Sequence, residues 1–326
     1  MKRRQALFGI IGLGIGLPAA RQAGAQTGAK NVVIGLLDAG DRKEWWAAFR
    51  QRMRELGHVE GKNVSFETRV ASGKLDLLPT MAQEMVRLNV AVIVTSGTAA
   101  AQAAKQATST IPIVMATGAD QVSMGLVDSF ARPGGNITGV TSLTTGLTSK
   151  RLELLREIFP KMKRLAVLWQ PSNGSSAAAM RDLDTAAGPF RIALQNLRVS
   201  SAKDCADVFA TLSRDRPDAL FVIHAPLPYN ERRTITQLAL KHRLPSIYGT
   251  AEYIEDGGLI SYGTSYPELF RHAAIYVDKI LKGAKPGNLP IEQPTKYELI
   301  INRKTAKTLG VVIPQAVLLR AERVIE

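Results

Sequence analysis

The sequence is poor in the residues that define several protein classes. Cysteine occurs once, at Cys205, which excludes an internal disulfide framework even in an oxidising compartment. Histidine occurs four times, at His58, His224, His242 and His272, at no spacing that suits a metal ion. Gly-x-Ser-x-Gly, His-Glu-x-x-His and Gly-x-x-x-x-Gly-Lys-Ser/Thr are all absent, so no motif specifies bond-making chemistry or a cofactor. Past the amino-terminal stretch no apolar run approaches the roughly 20 residues needed to span a bilayer. There is no short repeat, no low-complexity tract and no long flexible linker.

Acid is scarce relative to base, 28 Asp and Glu against 42 Lys and Arg, for a net charge of +14. A surplus of this size attracts nucleic acid or an anionic membrane only when it is massed. Here the basic residues are scattered among acids, which describes a solvated surface rather than a nucleic-acid patch.

The chain opens "MKRRQALFGIIGLGIGLPAARQAGAQ". Its glycines at Gly12, Gly14 and Gly16 are not a dinucleotide loop, because no strand precedes them. From Ala6 to Ala20 the apolar run is 15 residues and contains Pro18, too short for a stable span. A basic start, a short apolar run and the small residues Ala23-Gly24-Ala25 fit a signal peptide over residues 1–25. Arg3-Arg4 leaves open both the general and the twin-arginine export routes. Removing four basic residues with the peptide leaves a net charge of +10. The expected product is a periplasmic protein.

From Asn31 onward, short β-branched runs alternate with helical patterns, which predicts parallel α/β architecture. "NVVIGLLDAG" is the first strand. In "DRKEWWAAFRQRMRELG", Trp45, Phe49, Met53 and Leu56 recur at helical spacing, with Asp41 as N-cap and Gly57 as stop; Trp45 reads as core. Strands "NVSFETR", "VAVIVTS" and "IPIVMAT" alternate with helices "LLPTMAQEMVRL" and "TAAAQAAKQAT". A further helix is predicted through "SMGLVDSFA". The pattern restarts with helix "LTSKRLELLREIF", strand "RLAVLWQ", a long helix through "SSAAAMRDLDTAAGPFRIALQ", strand "DALFVIH", helix "NERRTITQLALKH" and strand "PSIYG". About 300 residues of this kind favour two lobes.

In open α/β sheets, ligands bind beyond the carboxyl ends of the strands. Asp38 follows the first strand. Ser96, Gly97 and Thr98 follow "VAVIV" and open a helix, where free N–H groups and hydroxyls suit an anion or simply cap the helix. Asp120 follows the next strand and either accepts from a ligand ammonium or caps a helix. Thr141, Ser142, Asn173 and His224 end further segments. Tyr248, Glu252 and Tyr253 supply aromatic walls and a carboxylate. His58 and His242 sit at helix ends as solvated or capping groups, and Cys205 reads as packing.

The blocks "MRELGHVEGKNVSFETR", "TIPIVMATGADQVSMGLVDSFARPGGNITGVTSL", "KRLELLREIFP" and the long run from "PSIYGTAEYIEDGG" to "KTLGVVIP" resemble the ABC transporter substrate-binding protein family over nearly the whole chain after the leader. The resemblance implies a type I periplasmic binding fold: two Rossmann-like lobes with parallel sheets, joined by three hinge crossings near Thr141–Thr145, Tyr262–Ser265 and Gly283–Pro290. The lobes would comprise residues 30–142 with 264–285, and 146–262 with 286–326. Some relatives bind aromatic or other hydrophobic amino acids through the loop matching Ser96–Thr98 and the acid matching Asp120. In them an Asp-Asn-Thr stretch follows the second-lobe strand, where this chain has "HAPLPYN".

These readings converge on a receptor, not an enzyme, that binds a small solute between its lobes and delivers it to an inner-membrane ABC permease. The solute would be an amino acid or another aromatic or carboxylate compound. The expected protein is a monomer without cofactor, metal or nucleic-acid partner. An α/β enzyme acting on a small solute is the alternative. A ligand-responsive regulator would need an N-terminal helix-turn-helix, where this chain has an export signal.

Overall fold

The computed structural model describes residues 31–119, 121–142, 145–212 and 216–326. The expected signal peptide and Asp120 lie outside these residues. The first lobe is built from β1 (Val32–Asp38), α1 (Lys43–Glu55), β2 (Val64–Val70), α2 (Leu78–Arg87), β3 (Val92–Ser96), α3 (Thr98–Ala107), β4 (Ile113–Thr117) and β5 (Ile137–Gly139). Its sheet runs β2-β1-β3-β4-β5 with every pair parallel.

The second lobe follows with α4 (Thr148–Ile158), β6 (Arg164–Trp169), α5 (Gly174–Ala187), β7 (Ala193–Arg198), α6 (Ala202–Thr211) and β8 (Ala219–Val222). It continues through α7 (Pro226–Asn230), α8 (Arg232–Lys241), β9 (Ser246–Tyr248), α9 (Glu252–Glu255) and β10 (Ile260–Gly263). The chain then returns to the first lobe as α10 (Tyr266–Leu281), and ends in the second as β11 (Glu298–Asn302), α11 (Arg303–Leu309), α12 (Gln315–Leu318) and β12 (Arg323–Ile325). The second sheet is ordered β12-β11-β10-β9-β8-β6-β7. The sheets are parallel as expected save at β11, which runs antiparallel to β10.

Apolar spacing explains the main helix contact. Trp45, Phe49 and Met53 of α1 are fully buried, and α1 lies along α10, where the Trp46 and Phe270 rings meet edge to face at 4.8 Å. Burying one such side chain contributes roughly 1.5–3 kcal/mol. Asp41 does not cap α1. The flanking position is Arg42, with no side-chain cap, and the Asp41 N–H bonds to Asn230 Oδ1 at 3.1 Å.

Three further expectations are corrected. Residues 123–131 form turns rather than a helix: the Asp128 N–H turns back to the Pro133 carbonyl, and Lys105 Nζ holds the carbonyls of Gly125 and Leu126 at 2.6 and 3.0 Å. The long helix ends at Ala187, because Gly188 and Pro189 break it, and Ala193–Arg198 forms the edge strand β7. Helix α6, unpredicted, starts at a reciprocal capping box between Ser201 and Asp204.

Three crossings join the lobes. The first leaves β5 through Thr141 and Ser142, and the second runs from Gly263 to Tyr266. The third comes later than Gly283–Pro290. Thr138 Oγ1 bonds the Leu289 carbonyl, Tyr276 OH the Pro290 carbonyl, and the Glu292 N–H the Gly139 carbonyl, so the chain stays on the first lobe until it crosses at residues 293–297.

Candidate ligand site

Residues just beyond β3 and β4 of the first lobe meet those beyond β6 and β8 of the second. Between them is a small cavity of about 40 Å³ that brings together Gly97, Thr98, Ser142, Asn173 and His224 with Arg42, Gly118, Ser175 and Tyr266. The lobes are drawn onto each other here. Ser175 Oγ donates to Thr98 Oγ1 at 3.0 Å, and the Trp45 indole N–H donates to Glu252 at 2.5 Å.

The wall of this cavity is aromatic and basic. Trp45 stacks on Tyr266 with ring centroids 4.3 Å apart and leans on Tyr229 at 4.7 Å. His224 lies 5.0 Å from Tyr266. Its Nδ1 is buried without a partner, and burial, with the Arg42 and Arg151 charges, holds its pKa well below the usual imidazole value. The ring is therefore neutral at pH 7.

Two guanidiniums stand behind it. Arg42 is buried and bonded to the Asp38 carboxylate, which also accepts from the N–H of Gly40 at 2.9 Å and from the Trp46 indole at 2.9 Å. Gly40 is required by this arrangement, since a Cβ there would lie 2.6 Å from Arg42 Nη1. Arg151, on the buried face of α4, donates from Nε to the Tyr262 carbonyl at 2.7 Å. Burial pushes its pKa down to about 10.

Apart from Asp120, which lies outside the described residues, the residues singled out for the site each have a place. Asp38 is spent on Arg42, Trp46 and the local backbone, so it aims Arg42 rather than facing the cavity. Ser96 is fully buried beneath the cavity, its hydroxyl without a partner, at a register shift between β3 and β4. The Gly97 N–H is taken by the Thr117 carbonyl. Thr98 Oγ1 accepts from the Ala119 N–H at 3.0 Å as well as from Ser175. The Thr141 and Ser142 hydroxyls both donate to the Gly118 carbonyl at 3.0 Å, tying down the first crossing.

Asn173 caps α5 by accepting from the Ser176 N–H at 2.9 Å. Tyr248 and Tyr253 stack on each other at 4.4 Å, fully buried and away from the cavity. Glu252 is held by Trp45. Away from the cleft, His58 pairs with Asp278 at 2.9 Å rather than standing in solvent, and burial raises the Cys205 thiol to about 12.

Sequence reasoning missed Arg42, Arg151 and Tyr266; Trp45 is core as expected, and its ring also meets the second-lobe side chains His224 and Tyr229. One signal was available for Arg151: it is a lone cation on the helix face otherwise made by Thr148, Leu155 and Ile158.

The comparisons with known proteins agree with this architecture. The family model described as ABC transporter substrate binding protein matches residues 32–325. The chain belongs to that family. A tyrosine-binding protein of Clostridioides difficile is 26% identical over 261 residues, covering 80% of this chain and 75% of that protein. Among solved structures, a conserved domain protein from Vibrio cholerae is 28% identical with a TM-score of 0.84, covering 90% of this chain and all of that one. A Streptococcus ABC domain solved with L-Trp superposes with a TM-score of 0.83 at 24% identity, covering 91% of this chain and all of that one. The fold is the type I periplasmic binding fold, and the chain is a substrate-binding component of an ABC uptake system. Among the described residues no helix is long and apolar enough to cross a membrane, and no group of three or more His, Cys, Asp or Glu could hold a metal.

Proposed function

We propose that this protein is a periplasmic receptor that captures a small solute between its lobes, closes over it and presents it to an inner-membrane ABC permease. It works as a monomer after cleavage behind Ala25 and performs no covalent chemistry on the solute. The supporting observation is that two side chains lining one interlobe cavity, Arg42 and His224, each keep a buried polar atom without a partner there, Arg42 Nε and His224 Nδ1. A buried polar group without a partner costs about 1–3 kcal/mol, and a bound solute that supplies partners in the closed state favours closure by that difference. The neutral His224, lying among aromatic rings, shapes the cavity instead of relaying protons.

The ligand roles proposed for Ser96 and Thr98 toward an anionic or carbonyl group, and for Asp120 toward a positive one, remain part of this reading. The relative named as a tyrosine-binding protein supports amino acids and related compounds as the first solutes to test. Small-angle scattering on the mature protein decides the matter. Compaction at saturation with one solute class is expected, and an unchanged profile across amino acids, carboxylates and sugars overturns the receptor reading. Intact-mass measurement of the periplasmic fraction tests cleavage behind Ala25.

A further inference from the structure

The second-lobe guanidinium of Arg151 is unlike the other buried charges. Its relative exposure is 2%, yet among the described residues no carboxylate pairs with it. Nε is satisfied by the Tyr262 carbonyl, whereas Nη2 is buried without a partner. A buried cation left this way is costly unless something compensates it.

Its surroundings tie it to the cleft. A Cβ placed on Gly249 would meet Arg151 Nη2 and His224 Cβ each at 3.3 Å, so the guanidinium and the cavity-lining histidine flank the same glycine, with Arg151 behind the lining. From the first lobe, Arg42 lines the cavity itself, and its Nε is buried without a partner. Among the described residues, Asp38 is committed to Arg42 and Trp46, and Glu252 to Trp45. About 40 Å³ is little more than the share of one water, about 30 Å³, and is the scale of a single small polar group.

We infer that the solute carries a carboxylate, and that Arg151 and Arg42 close on that group from opposite lobes. This rests on the receptor reading and narrows it to solutes that carry a carboxylate. Planar guanidiniums with free N–H groups suit a carboxylate in a way that a lysine does not. The anion would supply the charge that Arg151 lacks, and it would do so only in the closed state.

The test uses the carboxylate alone: formate, acetate and propionate, against formamide, acetamide and propionamide as neutral isosteres, at constant ionic strength. The readout is the fluorescence of the tryptophans, of which Trp45 lies in the cleft wall. A saturable response to the carboxylates and none to the amides is expected, weakened at least roughly tenfold in Arg151→Met and retained in part in Arg151→Lys. Circular dichroism melts of both variants establish that they are folded. Equal responses to acid and amide, an unchanged affinity in a folded Arg151→Met protein, or no saturable response to any carboxylate would overturn the inference. Compaction in scattering with a solute that has no carboxylate would also overturn it, while leaving the receptor reading intact.

Discussion

Arg42 and Arg151 approach the same histidine from opposite lobes, and the protein treats them differently. Arg42 is four residues after Asp38, whose carboxylate binds its side chain and its backbone N–H together. Arg151 has a backbone carbonyl and no carboxylate among the described residues. The first is held in place by a turn within the first lobe. The second carries an unmet electrostatic demand, and such demands collect where a partner from outside completes the site. The difference separates a cation already paired within its own lobe from one that is not, within one cleft.

The largest effect expected is on the scaffold side. Asp38→Ala leaves the Arg42 guanidinium buried without its carboxylate and strips acceptors from the Trp46 indole and two backbone N–H groups. Breaking a buried pair by removing one partner costs about 3–5 kcal/mol, read as a lower urea midpoint at unchanged slope. Asp38→Ala combined with Arg42→Met should recover part of that loss. A cost below about 1 kcal/mol for the single substitution would mean that the pair behaves like an exposed one, and the contrast with Arg151 would vanish.

The histidine between the two arginines gives the next effect. His224 is held neutral in the folded state, while in the unfolded chain it takes a proton below about pH 6.5. The unfolded state therefore binds more protons as pH falls, and folding stability drops. As pH falls below about 6.5, the wild type should lose more stability than His224→Gln. An NMR titration sharpens the comparison, since the His224 pKa should rise when Arg151 is replaced by methionine. Identical pH profiles for wild type and His224→Gln would show that burial and the two guanidiniums together do not hold the ring neutral.

The fold was largely legible because its signals are local. The β-branched runs at Val32–Asp38 and Val92–Ser96 and the α1 stripe of Trp45, Phe49 and Met53 each depend on a few neighbouring residues. Strand β7 was missed because it is a half-exposed edge whose Gln195 and Asn196 blur alternation, and α6 because little more than Cys205 and Phe209 anchors it. The cleft was legible as positions but not as partnerships. Ser96, Thr98 and His224 could be found by reading past the strand ends. That Asp38 would be consumed by Arg42, and Glu252 by Trp45 207 residues away, is decided by tertiary packing, which leaves no trace in spacing.

A smaller effect tests how the closed state is held. Ser175→Ala removes the interlobe bond to Thr98 Oγ1, a neutral hydrogen bond of about 0.5–1.5 kcal/mol. Because the bond exists only with the lobes together, the loss should appear as a shift toward open molecules in scattering without solute. The urea midpoint should change little. A large fall in global stability would instead make Ser175 part of the scaffold, alongside Asp38.

The smallest effect expected is the most telling. Arg151→Met removes a buried cation and fills most of its volume with apolar atoms. It forfeits the bond to the Tyr262 carbonyl, about 1 kcal/mol, and removes the desolvation cost that pushes this guanidinium down to about 10. These terms oppose each other, and replacement of buried charge by a well-packed apolar side chain is often neutral or stabilising. The expected change in unfolding free energy is therefore within about 1 kcal/mol, several-fold less than for Asp38→Ala, although both substitutions delete a buried charge. The two urea titrations, run side by side, decide whether the asymmetry is real. A loss of about 3 kcal/mol or more in Arg151→Met would mean that the folded protein already satisfies this guanidinium, and that the cleft asks for no anion from outside.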